Sequence, residues 1–358
     1  MSLDSFLVLL TDIITFYAAY LIVVIALNLQ YGYAGIPNFG LAFSVAGGAY
    51  ITGALTGRIA MWYYGVDSGL DFIDDNSFIT DILNEHLAND PVGGLTIFFI
   101  MLLICIGINA LLGFIASYPA IRLRADYLMM TLIAMAEGIR VIGLNYRPLV
   151  GATFWIHVPD LFAWVGEYRR IVVTLLALGF SLLVLFIVHL IVNSPAGRLL
   201  KAMRENELTA ESVGKDITRL RMKTMVLGAV LASFAGFWWS ILSGVVLSAA
   251  YTRTDWTFWP WLMLMIGGRG NNLGSALGTA AVILLRRFII YYKHSLEQYI
   301  PFSVVWLESI LLGVALILII TFRPEGLLPE RPIVVRGIKD YRRFLDKVKN
   351  KVSRESTS

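Results

Sequence analysis

Charge is what this sequence has least of. Asp, Glu, Lys and Arg make up 15% of its 358 residues, against 58% that are hydrophobic. A soluble chain carries about 25% charged residues, so an ordinary water-soluble domain is excluded. Intrinsic disorder, which needs few apolar side chains, is excluded with it. Cysteine is nearly absent: Cys105 stands alone, which removes a disulfide framework and a cysteine-based zinc site. The histidines, His86, His157, His189 and His294, are scattered without metal-ligand spacing. There is no P-loop, because Gly214-Lys215 has Thr209 where the first glycine belongs and Asp216 where Ser or Thr belongs. Gly-x-Ser-x-Gly and His-Glu-x-x-His are missing too. The chain therefore reads as no enzyme, with no metal and no cofactor. Its net charge of +4 is too small to point to nucleic acid.

What is present in quantity is apolar sequence. Crossing a bilayer takes about 20 mostly apolar residues. Residues 34–57, 94–118, 171–193 and 225–251 carry no formal charge. Residues 6–29 hold only Asp12, 127–144 hold Glu137 and Arg140, and a run from 301 to 322 is broken only by Glu308. Two shorter runs cover 256–268 and 273–285. Backbone polar groups in lipid must be bonded within the segment, and these runs do not alternate as barrel strands do. The prediction is an all-α, polytopic transmembrane helical bundle of about 8–10 spans, with Gly-rich broken helices. Residues 1–6 lack a basic segment and the first run is too long for a signal peptide, so it reads as a span that stays.

The few charges are unevenly placed. Residues 58–90 hold one basic and seven acidic side chains, residues 194–223 seven basic and four acidic, and residues 323–358 ten basic and five acidic. Basic loops stay in the cytoplasm. A membrane domain over 1–322 is therefore expected to carry an acidic external loop at 58–90 and a cytoplasmic loop at 194–223, with a basic cytoplasmic tail at 323–358. Reading 6–57 as two full spans puts the N-terminus outside. Within the tail, Ile338, Tyr341, Leu345, Val348 and Val352 recur at helical spacing among Lys and Arg, a pattern for an amphipathic helix on the inner membrane surface. The tryptophans Trp155 and Trp164 read as an interfacial belt, as does the cluster Trp238, Trp239, Trp256, Trp259 and Trp261.

The loop 194–223 is punctuated like a hairpin of short helices. Ser194-Pro195 is a capping hydroxyl followed by proline at the first helical position. Asn206 can cap a second helix over 207–213, Gly214 can stop it, and Asp216 can cap the next membrane helix. Leu199, Leu200 and Met203 form an apolar edge suited to docking a soluble partner. A solvated linker between spans is the other reading of the pattern.

The stretch GRLLKAMRENELTAESVGKDITRLRMK (197–223) resembles the cytoplasmic loop of permeases in branched-chain amino-acid ABC importers, the LivM/LivH type. So do LNLQYGYAGIPNFGLAFSVAGGAY (27–50), LRADYLMMTLIAMAEGIR (123–140), IGGRGNNLGSALGTA (266–280) and RPEGLL (323–328) in their order along that family. The resemblance covers roughly residues 20–328. It implies a multi-pass plasma-membrane permease that works with ABC ATPase subunits, a second permease subunit and an extracytoplasmic solute-binding protein. It also implies that Gly197, Arg198, Ala202, Arg204, Glu205, Glu207, Ala210 and Gly214 lie at the ATPase interface. Physically, Arg198, Arg204, Glu205 and Glu207 would pair with charges on the ATPase, and the apolar edge would seat in its groove. The sequence departs from the family at 147–153, where a Thr-Gly-Gly-type turn is replaced by RPLVGAT with one glycine. Urea, amides and other small solutes are also family cargoes, so the solute stays open.

Candidate pathway residues follow from the breaks in the runs. Gly32, Gly35, Asn38 and Gly40 interrupt the first, and Gly267 and Gly268 a later one. Non-helical backbone at membrane depth persists only where protein or a water cavity shelters it, and transporters use such breaks to bind solutes. Extramembrane turns with close helix packing fit the same glycines. Thr131 and Glu137 lie on the middle segment. Glu137 and Arg140, three residues apart, are either a polar element near the pathway or a structural ion pair. Two alternatives to an ATP-driven importer remain at this level, an ion-coupled secondary transporter and a membrane-embedded enzyme.

Overall fold

A computed structural model describes residues 3–66 and 69–293, and beyond them residues 310, 313–315, 317–319, 321–323 and 325–330. Glu308, His294 and the tail from 331 lie outside the described residues. The described residues are mostly helical: α1 (Leu3–Leu27), α2 (Leu41–Tyr64), α3 (Asn76–Asn89), α4 (Pro91–Arg122), α5 (Ala125–Asn145), α6 (Arg147–Val150), α7 (Arg169–Asn193), α8 (Pro195–Glu205), α9 (Glu207–Ser212), α10 (Ile217–Ser243), α11 (Trp259–Gly267) and α12 (Asn272–Tyr291). Among the described residues, six segments are long and apolar enough to span a bilayer: Leu7–Tyr33, Pro91–Arg122, Ala125–Asn145, Ala163–Asn193, Ile217–Ser243 and Asn272–Tyr291. The protein is thus an all-α polytopic membrane protein, as predicted. α2 has 24 residues and the same reach, but small residues, Gly, Ala, Ser and Thr, are interleaved with its larger apolar ones over most of its length.

That composition reflects its place. α2 is buried over most of its length, packed between α10, α4 and α5, so it has little need to be apolar toward lipid. Small residues let backbones meet. A Cβ on Gly48 would sit 2.0 Å from the Ser233 carbonyl oxygen of α10, and one on Gly236 would sit 1.9 Å from the Val45 carbonyl oxygen. The second half of α1 is buried in the same core. α4, α7 and α12 surround it and turn Leu, Ile and Phe outward. α11 and α12 meet through Gly267, Gly274 and Gly278, where an added Cβ would be about as crowded.

Contacts fix the direction of each helix. Thr15 meets Thr174 near the start of α7 (2.9 Å), and Arg169 donates to the Ile241 carbonyl oxygen at the end of α10. The start of α1, the ends of α2, α5 and α10 and the starts of α4 and α7 therefore share one end of the bundle with α3. There a two-residue antiparallel ladder pairs β1 (Ile156–His157) with β2 (Val245–Val246). Asn76 of α3 brackets His157, accepting from its N–H (2.7 Å) and donating to its carbonyl oxygen (3.1 Å). The acidic stretch 58–90 is thus mostly helix: α2 runs to Tyr64, and α3 covers Asn76–Asn89. At the departure from the family, Gly151 and Ala152 both take positive φ (71° and 60°). The turn thus holds two successive residues in the left-handed region, one of them an alanine. The opposite end carries α8 and α9.

The tryptophans divide. Trp155 and Trp164 are exposed at the α3 end. Trp238, Trp256 and Trp259 are buried packing groups, and Trp261 lies by the α1 break, stacked on Phe39. Trp238, Trp256 and Trp259 therefore belong to no interfacial belt, because the core uses their bulk.

Candidate functional site: the α8–α9 hairpin and the two helix breaks

The caps read from the sequence are made. Ser194 Oγ accepts from Ala196 N (3.2 Å), Asn206 Oδ1 from Thr209 N (3.0 Å) and Asp216 Oδ1 from Arg219 N (2.9 Å). Gly214 turns the chain with φ 76°. These local bonds satisfy orphan N–H groups at three successive helix starts, so the hairpin is preformed. Gly197 lies against the Val192 carbonyl oxygen, where a Cβ would be 1.9 Å away. That close approach seats α8 on the end of α7.

Its apolar edge faces inward. Leu200 is 4% and Met203 1% exposed, because α8 buries that stripe on its own chain. The apolar side chains offered outward are on and just after α9: Leu208 is 79% and Val213 68% exposed. Sequence reasoning missed both. A signal was present, since Leu208 stands on the short acidic helix and Val213 just after it, beyond every membrane run. Among the residues placed at the interface, Arg198, Ala202, Glu205 and Gly214 are exposed, and Gly197 and Ala210 are buried. Arg204 and Glu207 turn toward their own chain. Glu207 pairs with Arg221 of α10. Arg204 donates to the Gly32 carbonyl oxygen and pairs with Glu330 (2.6 Å).

The breaks lie directly above. After α1 the backbone widens into a π-helical turn, Asn28–Tyr33, and Gly35 takes φ 73°. A Cβ on Gly35 would be 2.9 Å from Arg204 Cγ. The turn is closed by buried amides. Asn28 Oδ1 accepts from Gly270 N (2.9 Å) and its Nδ2 donates to Asn272 Oδ1 (2.9 Å). Asn38 donates to Gln30 Oε1 (2.9 Å) and accepts from Gly40 N (2.7 Å). Asn38 thus spends both ends of its amide inside the chain. Gly40 lies against the Leu132 backbone of α5, and Gly267 against Gly274. Gly268, with φ 109°, carries the chain from α11 to α12. The two breaks that the sequence set 230 residues apart are therefore one polar unit, bridged by Asn28 and standing on α8.

The charges within the spans form a second group. Glu137, the thirteenth of the 21 residues of α5, pairs with Arg140 and with Arg253 (3.2 Å). Tyr20, midway along Leu7–Tyr33, accepts from Arg286 Nη1 (3.1 Å). Arg286 also lies 3.7 Å from Asp255 and stacks 4.1 Å above the Trp259 ring. Arg287 pairs with Asp12 (3.0 Å) over the Phe16 ring. Charges at this depth persist when paired or facing a polar space. Arg253 stays 46% exposed, which gives the middle of α5 and the π-helical turn before α11 a charged face. Neither Arg253 nor Asp255 had been singled out. They sit at the edge of an apolar run, and only folding brings them beside Glu137 and Arg286. Thr131 stands about 120° round the helix from Glu137, with its hydroxyl returned to the Tyr127 carbonyl oxygen (2.8 Å).

Comparison with known proteins fits this arrangement. The family described as "Branched-chain amino acid transport system / permease component" matches residues 9–320. A probable branched-chain amino acid transport permease protein LivM of Methanocaldococcus jannaschii is 38% identical over 342 residues, covering 95% of this chain and 97% of that protein. High-affinity branched-chain amino acid transport system permease proteins LivM of Salmonella typhimurium and Escherichia coli are each 25% identical over 343 residues, covering 89% of this chain and 69% of theirs. No solved structure matches.

Proposed function

The chain belongs to the permease family of branched-chain amino acid transport systems, and from that premise we propose that it imports branched-chain or related amino acids as one membrane subunit of an ATP-driven transporter. The basic α8–α9 end faces the cytoplasm and the acidic α3 end faces outward, by the placement of Lys and Arg. The N-terminus is then outside, as is the surface around α3, α6 and β1, where a solute-binding protein delivers cargo. ABC ATPase subunits dock on α8 and α9 from within. A second permease, identical or related, supplies the other half of the pathway.

The observation that carries this reading is the hairpin. It offers Leu208, Val213, Arg198 and Glu205 to a partner, while its inner side holds the α1 and α11–α12 breaks. A push on α8 therefore reaches the membrane helices through direct bonds. Transitions of this kind arise from small shifts of rigid elements between discrete packings. The charged face at Glu137, Arg253 and Asp255 is the natural wall of a polar pathway at the contact with the second permease, since lipid would penalise it. Gly32, Gly35, Asn38, Gly40, Gly267 and Gly268 act as the mobile joint rather than as direct ligands, because their polar groups are used within the chain.

The test is uptake of labelled leucine into proteoliposomes that hold this chain with its second permease, ATPase subunits and binding protein. Uptake should require ATP and all partners. Uptake by this chain alone under a proton or sodium gradient would overturn the proposal in favour of an ion-coupled transporter.

A further inference from the structure

Residues 325–330 cross the α11–α12 break as a strap. Leu327 N donates to the Ile266 carbonyl oxygen (2.8 Å), and Leu328 N donates to the Gly267 carbonyl oxygen (3.0 Å). A Cβ on Gly268 would lie 2.3 Å from the Leu328 carbonyl oxygen, and one on Gly326 would lie 2.5 Å from Gly268 Cα. No side chain fits between strap and break. Asn271, which caps α12, also donates to the Pro329 carbonyl oxygen (3.3 Å). The strap is thus bonded to both sides of the break.

It ends on α8. Glu330 takes Lys201 Nζ at 3.4 Å and Arg204 Nη2 at 2.6 Å, all three side chains being mostly buried. The other terminal nitrogen of Arg204 donates to the Gly32 carbonyl oxygen. One carboxylate therefore gathers two cations of α8, and one of those cations reaches the α1 break. A space lined by Arg204, Arg269, Glu325, Pro329 and Glu330 opens beside the pair.

We propose that Glu330 is a positioning residue of the transport cycle. Through Arg204 and the strap it ties α8 to both helix breaks, so that movement of α8 opens or closes them together. Without it Lys201 and Arg204 stand side by side with no shared counter-charge, Arg204 loses its orientation toward Gly32, and α8 moves while the breaks lag. ATP is then hydrolysed with less transport. This inference rests on the reading of α8 and α9 as the ATPase dock.

The experiment uses the complete transporter in proteoliposomes with Glu330→Gln. ATPase subunits should co-purify as with the wild type, and hydrolysis should stay within about twofold. Substrate moved per ATP should fall about tenfold, the equivalent of one charge-assisted hydrogen bond. Glu330→Asp should recover part of the ratio. If Glu330→Gln does not fold, Lys201→Gln loosens the same clamp and should lower the ratio about threefold by the weaker bond it removes. An unchanged ratio in the variant that folds overturns the inference, and so does a loss of transport matched by an equal loss of hydrolysis. The docking reading fails separately, if a Leu208→Asp permease still binds the ATPase normally.

Discussion

Leu208→Asp isolates the docking surface from everything else the hairpin does. Leu208 opens the outer side of α9 and is 79% exposed. In a complex seated on α9 that side chain is buried. Full burial of a leucine contributes about 1.5–3 kcal/mol, and every 1.4 kcal/mol is about tenfold in affinity. Loss of the side chain alone should weaken ATPase binding about 10- to 100-fold, and a carboxylate left in an apolar groove should weaken it further. The permease itself should hardly notice. An exposed substitution away from caps and core stays within about 0.5 kcal/mol, and an acidic residue in the first turn of a helix is favourable. The assay is the affinity of purified ATPase subunit for immobilised, detergent-solubilised permease, with thermal unfolding of the permease alone as the control. Phe154→Ser, at the α3 end and also exposed, should leave affinity unchanged. Wild-type affinity in Leu208→Asp, with the fold intact, would refute the docking surface.

Other positions test the remaining links. Gly236→Ala would set a Cβ 1.9 Å from the Val45 carbonyl oxygen; overpacking of this kind costs about 1–3 kcal/mol, so thermal unfolding in detergent should shift down, and an unshifted midpoint would mean that α2 and α10 are not in backbone contact. Ala152→Gly should raise stability by about 1 kcal/mol, because alanine is held there at φ 60°; a loss of stability would show that the turn differs. Arg253→Ala removes the cross-helix partner of Glu137 and should reduce transport about tenfold while ATPase affinity holds. Equal transport would return the charged face to a purely structural role.

Much of the fold was legible because its signals are local. Hydropathy over 20 residues reports whether a helix can lie in lipid, and it located α4 and α7 directly, whereas the run 225–251 found α10 but overran its end at Ser243. Ser194, Asn206 and Asp216 act on N–H groups two or three residues away, so the hairpin could be drawn from its caps. Leu200 and Met203 were misleading for an equally plain reason. An amphipathic stripe says that a face will be buried, and not whether its own chain or another protein will bury it.

Composition, short-range bonding and ordered motifs were enough to read the lipid solvent, the long apolar helices and the family. That α2, rich in Gly and Ala, lies at the centre came from packing, because there the close glycine contacts matter more than hydrophobicity. Tertiary packing alone brought the two breaks together and set them on α8. Arg204 meets Gly32 across 172 residues of chain, and Glu137 meets Arg253 across a helix boundary. Such pairs depend on where several helices come to rest. Hydropathy and capping, which act within a turn or a span, carry no information about that.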